Sequence, residues 1–146
     1  MLLLSQGVCE DGTWDFKFLS SMEVKIERMK DLFDEEYIEE MLEDCEPRCC
    51  HFNAANVCRL FQDWGCIDYV EGYVYGNVGH AICSYRDANG NYHYFDPTQE
   101  SKIAKGLETR FHDKLDVVKT FSFDEVNEIF TKDEKTHLIS VEIKKG

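Results

Sequence analysis

Three residues of the types used in thiol catalysis, Cys50, His80 and Asp96, are spaced along the middle of the sequence. A cysteine is a strong nucleophile when its thiol is ionised, which requires a nearby base and a group that orients that base. A cysteine, a histidine and an aspartate supply these three parts. The residues therefore predict acyl transfer through a thioester, with Cys50 as nucleophile, His80 as base and Asp96 as the orienting group.

A helix is predicted to place Cys50 where a negative charge is stabilised. Pro47 is typical of a first helical turn, and the helix is expected to run to about Asp63, with Gly65 ending it. Unpaired backbone N–H groups at a helix start stabilise a thiolate and the oxyanion of a tetrahedral intermediate. Cys49 points about 100° away from Cys50 and is interpreted as a bystander, with a redox partner of Cys50 as the alternative. Cys50 shares its helix face with apolar residues that we expect to turn toward a sheet: Ala54, Val57 and Phe61.

A hairpin is predicted to bring His80 and Asp96 together. Two strand-like runs, His80–Arg86 and Asn91–Asp96, flank Ala88-Asn89-Gly90, which is a strong hairpin signal. A three-residue loop with its glycine left-handed places His80 and Asp96 diagonally on one face of the sheet. A two-residue turn made by the last two loop residues would place them on opposite faces. The predicted pairing therefore depends on the type of turn.

The rest of the sequence predicts one α+β domain spanning residues 1–146, because helical and alternating patterns follow one another without a linker. We expect a helical N-terminal part (1–45), a catalytic-like core (46–98), and a helix with a closing strand (99–146). The patterns that carry this expectation are a helical run from Met22 to Asp44, an alternating strand over Asp68–Gly76, a capping box at Ser122 and Glu125 before a helix through Phe130, and a strand over Thr136–Ile143.

Four short runs carry a resemblance to a known family: Cys50-His51-Phe52-Asn53-Ala54, Tyr69-Val70-Glu71-Gly72-Tyr73-Val74, Gly79-His80-Ala81 and Phe95-Asp96-Pro97-Thr98. In this order and spacing they resemble the transglutaminase-like branch of the papain-fold cysteine enzymes, in particular small bacterial and phage members. The resemblance implies a helix with an N-terminal cysteine packed on an antiparallel β-sheet. It implies that Cys50 is the nucleophile, that His80 is general base and acid, and that Asp96 fixes the imidazole. By analogy with the upstream glutamine of papain-like enzymes, Gln6 is the candidate side-chain oxyanion donor, and no cofactor or metal is expected.

The charge and the cysteine usage restrict the partners and the compartment. The net charge is −13, which disfavours binding to nucleic acids and to anionic membranes. Seven cysteines at irregular spacing argue against a secreted disulfide framework. No transmembrane segment or convincing signal peptide is found in the sequence. We therefore expect a cytoplasmic protein, in a bacterium or in a host cell, that acts on a protein or peptide substrate.

Two alternatives remain open at the level of sequence. Nine acidic residues and no basic ones lie between Asp31 and Glu46, so the chain could instead be a non-catalytic interaction or inhibitor protein of the same fold, for example a phage anti-defence protein that binds a basic partner. A zinc site is the second alternative. Its ligands would be Cys45, Cys49, Cys50 and His51, although adjacent ligands crowd a tetrahedral metal.

Overall fold

The computed structural model describes residues 22–75 and 78–130 of the chain. These residues form an α+β fold with five strands and four α-helices, and two short 3-10 helices at Met29–Asp31 and Gln62–Trp64. In chain order the main elements are β1 (Met22–Lys25), α1 (Glu35–Leu42), α2 (Cys50–Leu60), β2 (Ile67–Val74), β3 (Val78–Arg86), β4 (Tyr92–Phe95), α3 (Pro97–Ala104), β5 (Lys114–Phe121) and α4 (Phe123–Phe130).

The five strands make one antiparallel sheet in the order β1-β5-β2-β3-β4. The chain that leaves β1 reaches the opposite edge of the sheet, where Ile26 forms a parallel bridge with Tyr94 of β4. Beside this bridge, the Glu27 N–H donates to the Tyr94 carbonyl at 2.7 Å. Contact between the two outermost strands requires the sheet to be curled.

Side chains on the two faces of the sheet belong to two separate apolar clusters, as the alternation of side chains along a strand requires. The first cluster lies under α2, with α1 and α4 at its sides, and from the sheet it includes Tyr69, Tyr73, Ala81 and Cys83. The second cluster consists mainly of strand residues, among them Val70, Ile82, Leu115 and Val117. The alternation predicted for the Asp68–Gly76 run is confirmed as far as Val74, where β2 ends, because the odd- and even-numbered apolar residues of this part separate between the clusters.

The helix predicted from Met22 to Asp44 is wrong over most of its first half. Met22–Lys25 is a strand paired with β5, and only Glu35–Leu42 is α-helical. The strand partner lies about ninety residues further along the chain, and tertiary pairing of this kind overrides a local helical pattern. The predicted helix start at Pro47 is also wrong. Arg48 has φ of 64°, outside the helical region, so α2 begins at Cys50.

Two local predictions are confirmed. The predicted hairpin is present, and of the two turns considered for it the three-residue loop Ala88-Asn89-Gly90 is the one formed: the Asp87 N–H donates to the Asn91 carbonyl at 2.9 Å, and Gly90 is left-handed with φ of 84°. The capping box before α4 is present, since the Ser122 N–H donates to Glu125 Oε1 and the Glu125 N–H donates to Ser122 Oγ. The predicted strand at Thr136–Ile143 lies outside the described residues.

Candidate active site

His80 and Asp96 form a buried hydrogen-bonded pair. The distance between His80 Nε2 and Asp96 Oδ2 is 2.6 Å, and the side chains are 4% and 0% exposed. The register of β3 against β4 pairs Cys83 with Phe95, so Asp96 follows the last paired residue of β4 and lies diagonally from His80. The hairpin geometry expected from the three-residue loop therefore brings these two side chains together.

Three hydrogen bonds, one with His80 and two from Gln99, hold the carboxyl group of Asp96 in its ionised form. Complete burial opposes ionisation, but the charge and hydrogen bond of His80 and two hydrogen bonds from Gln99 outweigh it, and the pKa of Asp96 is below its ordinary value. Asp96 is the N-cap of α3, where its Oδ1 accepts from the Gln99 N–H at 3.2 Å. Pro97 occupies the first helical turn, as its fixed φ favours.

Gln99 is a site residue that the sequence interpretation missed. Its Nε2 donates to Asp96 Oδ2 at 2.9 Å and to the His112 carbonyl at 2.8 Å, and its Oε1 accepts from the His112 N–H at 2.7 Å. Gln99 thus ties the carboxylate of Asp96 to the segment that precedes β5. The run Asp96-Pro97-Thr98-Gln99 could have predicted the hydrogen bond from the Gln99 N–H to Asp96, since an aspartate N-cap followed by proline is typical of a helix start.

Cys50 is the first residue of α2 and is fully buried. As expected, it lies on the helix face that packs on the sheet, in the same cluster as Ala54 and Val57. The start of α2 is fixed by Asn53, whose Nδ2 donates to the Glu46 carbonyl and to Thr98 Oγ1, both at 2.8 Å. Because Thr98 is two residues after Asp96, this hydrogen bond ties the start of α2 to the start of α3.

Cys50 and His80 belong to opposite faces of the sheet. Ala81 and Cys83 belong to the cluster beneath α2, whereas Ile82 belongs to the second cluster, and His80 has the parity of Ile82 along β3. The imidazole therefore leaves β3 on the face opposite to α2, close to the beginning of the strand. The structure brings together His80 and Asp96, and it places Cys50 in the cluster on the other face.

A cavity of about 350 Å³ opens beside His80. Its walls include Arg48, which comes two residues before Cys50, and Gln99, which holds Asp96. The loop that leads into α2 and the imidazole of His80 thus meet at one cavity, although their side chains start from different faces of the sheet. Further walls are supplied by Tyr75 and by the segment before β5.

Two other thiols, Cys45 and Cys83, are ordinary buried cysteines. Burial is the largest cause that raises the pKa of Cys45 to about 12. Burial, together with a hydrogen bond to Cys58, also raises the pKa of Cys83 well above its usual value. Both groups are protonated at neutral pH and are poor nucleophiles.

Three further sequence predictions concern the oxyanion donor Gln6, a zinc site and membrane-spanning segments. Gln6 lies outside the described residues. Among residues 22–75 and 78–130, no three His, Cys, Asp or Glu side chains are grouped as metal ligands, so the four residues considered for zinc are not assembled there as a site. Within the same ranges, none of the helices has the length and apolar character needed to cross a membrane.

Comparison with known proteins found no family model, no curated protein sequence and no solved structure that matches this chain. The architecture that the structure itself defines is an α+β fold with a buried histidine–aspartate pair at one end of a curled sheet.

Proposed function

We propose that the chain is a thiol-dependent acyl-transfer enzyme with a papain- or transglutaminase-like core. Cys50 is the nucleophile, His80 the general base and acid, and Asp96 the group that orients His80. The observation that carries the proposal is the buried hydrogen bond of 2.6 Å between His80 Nε2 and Asp96 Oδ2. An aspartate in this position fixes the ring orientation and favours the protonated imidazole.

The proposal requires one contact beyond those described, between Cys50 Sγ and His80 Nδ1. Because the two side chains start from opposite faces of the sheet, this contact would form around the end of β3, where the strand begins. Asp96 holds Nε2, so Nδ1 is the ring nitrogen that would take the thiol proton. The position of Cys50 as the first residue of α2 supports it, because the N–H groups of a first helical turn stabilise a thiolate. The shared cavity also supports it, since Arg48, two residues before Cys50, lines the same cavity as His80.

The reaction follows from these roles. His80 accepts the Cys50 proton, and the sulfur attacks a substrate carbonyl to form a tetrahedral intermediate with a negatively charged oxygen. The carbon–nitrogen bond breaks, His80 gives its proton to the leaving amine, and a thioester on Cys50 remains. Water or a second amine, deprotonated by His80, then attacks the thioester and releases the thiol. Water gives a peptidase or amidase and an amine gives a transglutaminase, both in a reducing compartment such as the cytoplasm.

Alkylation by iodoacetamide between pH 5 and 9, read at each cysteine by mass spectrometry, tests the nucleophile–base pair. Cys50 is expected to react at pH 6–7, and His80→Ala is expected to lower its rate by about 10²-fold or more. Asp96→Asn is expected to lower it less, because the imidazole remains. His93→Ala removes a histidine of the same hairpin and is the matched control, while Cys45 and Cys83 serve as protonated thiols in the same molecule.

A pattern in which Cys50 reacts no faster than Cys45, or equally in wild type and His80→Ala, would refute the catalytic proposal. A fully buried Cys50 that needs unfolding to react would show alkylation that tracks the unfolding rate. Measuring alkylation in parallel with hydrogen exchange separates that case from a reactive native thiol.

A second function is favoured by one specific observation. All nine acidic side chains between Asp31 and Glu46 are exposed, on and around α1. They would form a binding surface for a basic protein, as an inhibitor of the same fold would need. Replacing Glu39 and Glu40 by glutamine while leaving Cys50 intact tests this, since only a binding function would lose its partner. Partner capture abolished by the charge change but unaffected by Cys50→Ala would favour the binding function.

A further inference from the structure

The cavity beside His80 has the opposite charge balance to the rest of the protein. The whole chain has 29 acidic residues and 16 lysines and arginines. Among the described residues that line the cavity, Arg48, Lys102 and Arg110 are permanent cations and Glu108 is the one acid. Two histidines, His80 and His112, add to the positive side whenever they are protonated. A cationic cavity in so acidic a protein is suited to an anionic ligand.

The cations reach the cavity from three separate parts of the fold. Arg48 comes from the loop before α2, Lys102 from α3, and Arg110 from the segment between α3 and β5. No run of basic residues in the sequence accounts for this arrangement. The positive charge is therefore a product of the fold, concentrated where the candidate base His80 is located.

The single carboxylate of Glu108 offsets only part of the positive charge of the described cavity lining. Its carboxylate accepts hydrogen bonds from the backbone N–H groups of Thr109 and Arg110 at 2.9 and 3.2 Å. These bonds come first among the causes that lower the pKa of Glu108, followed by the neighbouring charges of Lys102 and Arg110. Glu108 thus shapes its own loop, and the described part of the lining contains three lysine or arginine residues and one carboxylate.

The backbone is also unusual at this cavity. Among the described residues, two that are not glycine have a positive φ, Arg48 at 64° and Tyr75 at 53°, and both line the cavity. Strained backbone of this kind persists where the surroundings require a particular side-chain position. Tyr75 is 74% exposed and its ring lies 4.6 Å from the His112 ring, so it forms an open aromatic wall. A peptide group can pack against such a wall.

We propose that this cavity recognises a carboxylate of the substrate, so that the acyl-transfer reaction acts on acidic polypeptide segments. The assignment of the carboxylate to a substrate rests on the proposed function of Cys50 and His80. A volume of about 350 Å³ accommodates a single acidic side chain or a C-terminal carboxylate with the adjoining peptide groups. Arginine and lysine are the side chains that bind carboxylates most strongly, and arginine can do so through two parallel hydrogen bonds.

Peptide binding to the Cys50→Ala protein tests the cavity without catalysis. Isothermal titration would compare N-acetylated hexapeptides that contain two central glutamates or two glutamines, each with a C-terminal amide or a free carboxylate. We expect the glutamate peptide to bind at least about tenfold more tightly than the glutamine peptide at low salt, with the difference reduced at high salt. Tighter binding of the glutamine peptide with a free carboxylate instead would assign the cavity to a chain terminus.

A matched pair of double variants locates the effect. Lys102→Gln with Arg110→Gln removes two cavity cations, and Lys114→Gln with Arg86→Gln removes the same two residue types at exposed positions that are not part of the cavity. The first double variant is expected to abolish the preference for acidic peptides and the second to retain most of it. Equal binding of glutamate and glutamine peptides, or equal loss in both double variants, would overturn the proposal.

Alkylation separates failure of this inference from failure of the proposed function. Iodoacetate is an anion and iodoacetamide is neutral, so their rate ratio at Cys50 reports local positive charge. His80-dependent reaction of Cys50 with both reagents, without any preference for iodoacetate over the ratio found at Cys66, would overturn carboxylate recognition and leave the proposed function intact. Binding of acidic peptides with an unreactive Cys50 would keep the carboxylate site and overturn its place in a reaction.

Discussion

Gly72 is the residue on which the position of His80 most directly depends. It pairs with His80 across β2 and β3, and the register of β2 against β5 shifts between Glu71 and Gly72. A Cβ atom added at Gly72 would lie 2.0 Å from the Asp116 carbonyl oxygen and 3.0 Å from Val117 Cα. Both neighbours are backbone atoms, so β5 would have to move away from β2.

Gly72→Ala is therefore expected to lower the free energy of unfolding by about 3 kcal/mol, at the upper end of the range for overpacking. It should also reduce the His80-dependent alkylation of Cys50, because a shift of β2 relative to β5 is transmitted to β3, which pairs with β2 at Gly72 and carries His80. Urea unfolding followed by circular dichroism measures the first effect. Gly65→Ala is the control: it has a left-handed φ of 69° but no atom within 4 Å of an added Cβ, and should cost only about 1 kcal/mol. A Gly72→Ala protein as stable as the wild type would show that β5 is not packed against this backbone.

The sequence predicted the His80–Asp96 pair for one of the two turns considered, the three-residue loop, but did not predict the residues that support the pair. Strand alternation and a three-residue loop determine which side chains share a face, and both are local properties. The role of Gln99 depends on His112, which β5 brings back to the site from a different part of the chain. The face on which Cys50 packs was predicted by helical periodicity, whereas its placement relative to His80 depends on how α2 lies across the curled sheet.

At the scale of helices and strands, the sequence pattern of a segment predicted its structure correctly where that structure depended on residues of the same segment. The capping box before α4 and the alternation in β2 are of this kind. The sequence interpretation missed β1 and β5. In the sheet, β5 lies between β1 and β2, so the pairing of these strands joins segments that are far apart in the sequence. A four-residue strand such as Met22–Lys25 has too few residues for its alternation to outweigh the helical pattern that follows.

His93 joins the β3–β4 hairpin to the chain that follows β1, and this link is expected to depend on pH. Its Nε2 lies 2.9 Å from Asp87 Oδ2 and its Nδ1 lies 2.8 Å from Glu27 Oε2. The hydrogen bond between His93 and Asp87 is the largest cause that raises the pKa of His93, and the hydrogen bond between His93 and Glu27 is the next. The same His93–Asp87 hydrogen bond is the largest cause that lowers the pKa of Asp87. A folded-state pKa above the unfolded value means that the stabilisation is complete below the unfolded pKa and is lost as the pH rises through the folded one.

His93→Gln is thus expected to destabilise the protein more at pH 5.5 than at pH 8.5. The raised pKa of His93 favours a charged imidazole beside the carboxylate of Asp87 at the lower pH, and the imidazole loses this charge as the pH rises. Urea midpoints of wild type and His93→Gln at the two pH values measure the difference, with Glu27→Gln added to the His93→Gln background as control. The second change should have no further pH-dependent effect. A His93→Gln protein with the same loss of stability at both pH values would exclude the charged pair.

For the whole molecule, the acidic charge is unevenly distributed along the chain, and part of it lies on α1. This helix carries Glu35, Glu36, Glu39 and Glu40, all exposed, and no basic residue in its last turn. Glu35 and Glu39 are four residues apart, as are Glu36 and Glu40, and like charges at this spacing repel each other. The first two glutamates are near the positive end of the helix dipole, whereas the last two are near its negative end.

Glu39→Gln with Glu40→Gln should therefore stabilise the protein by about 0.5–1 kcal/mol at low ionic strength, since both the repulsions and the unfavourable dipole interaction are removed. Glu35→Gln with Glu36→Gln is the matched variant. It removes the same repulsions but also a favourable dipole interaction, so its effect should be close to zero. Thermal unfolding at about 20 mM and 500 mM NaCl distinguishes the two, because salt screens exposed charges and the difference should vanish at the higher concentration. Equal stabilisation by both pairs would mean that the net charge of −13, rather than the position of each charge along α1, governs this part of the stability.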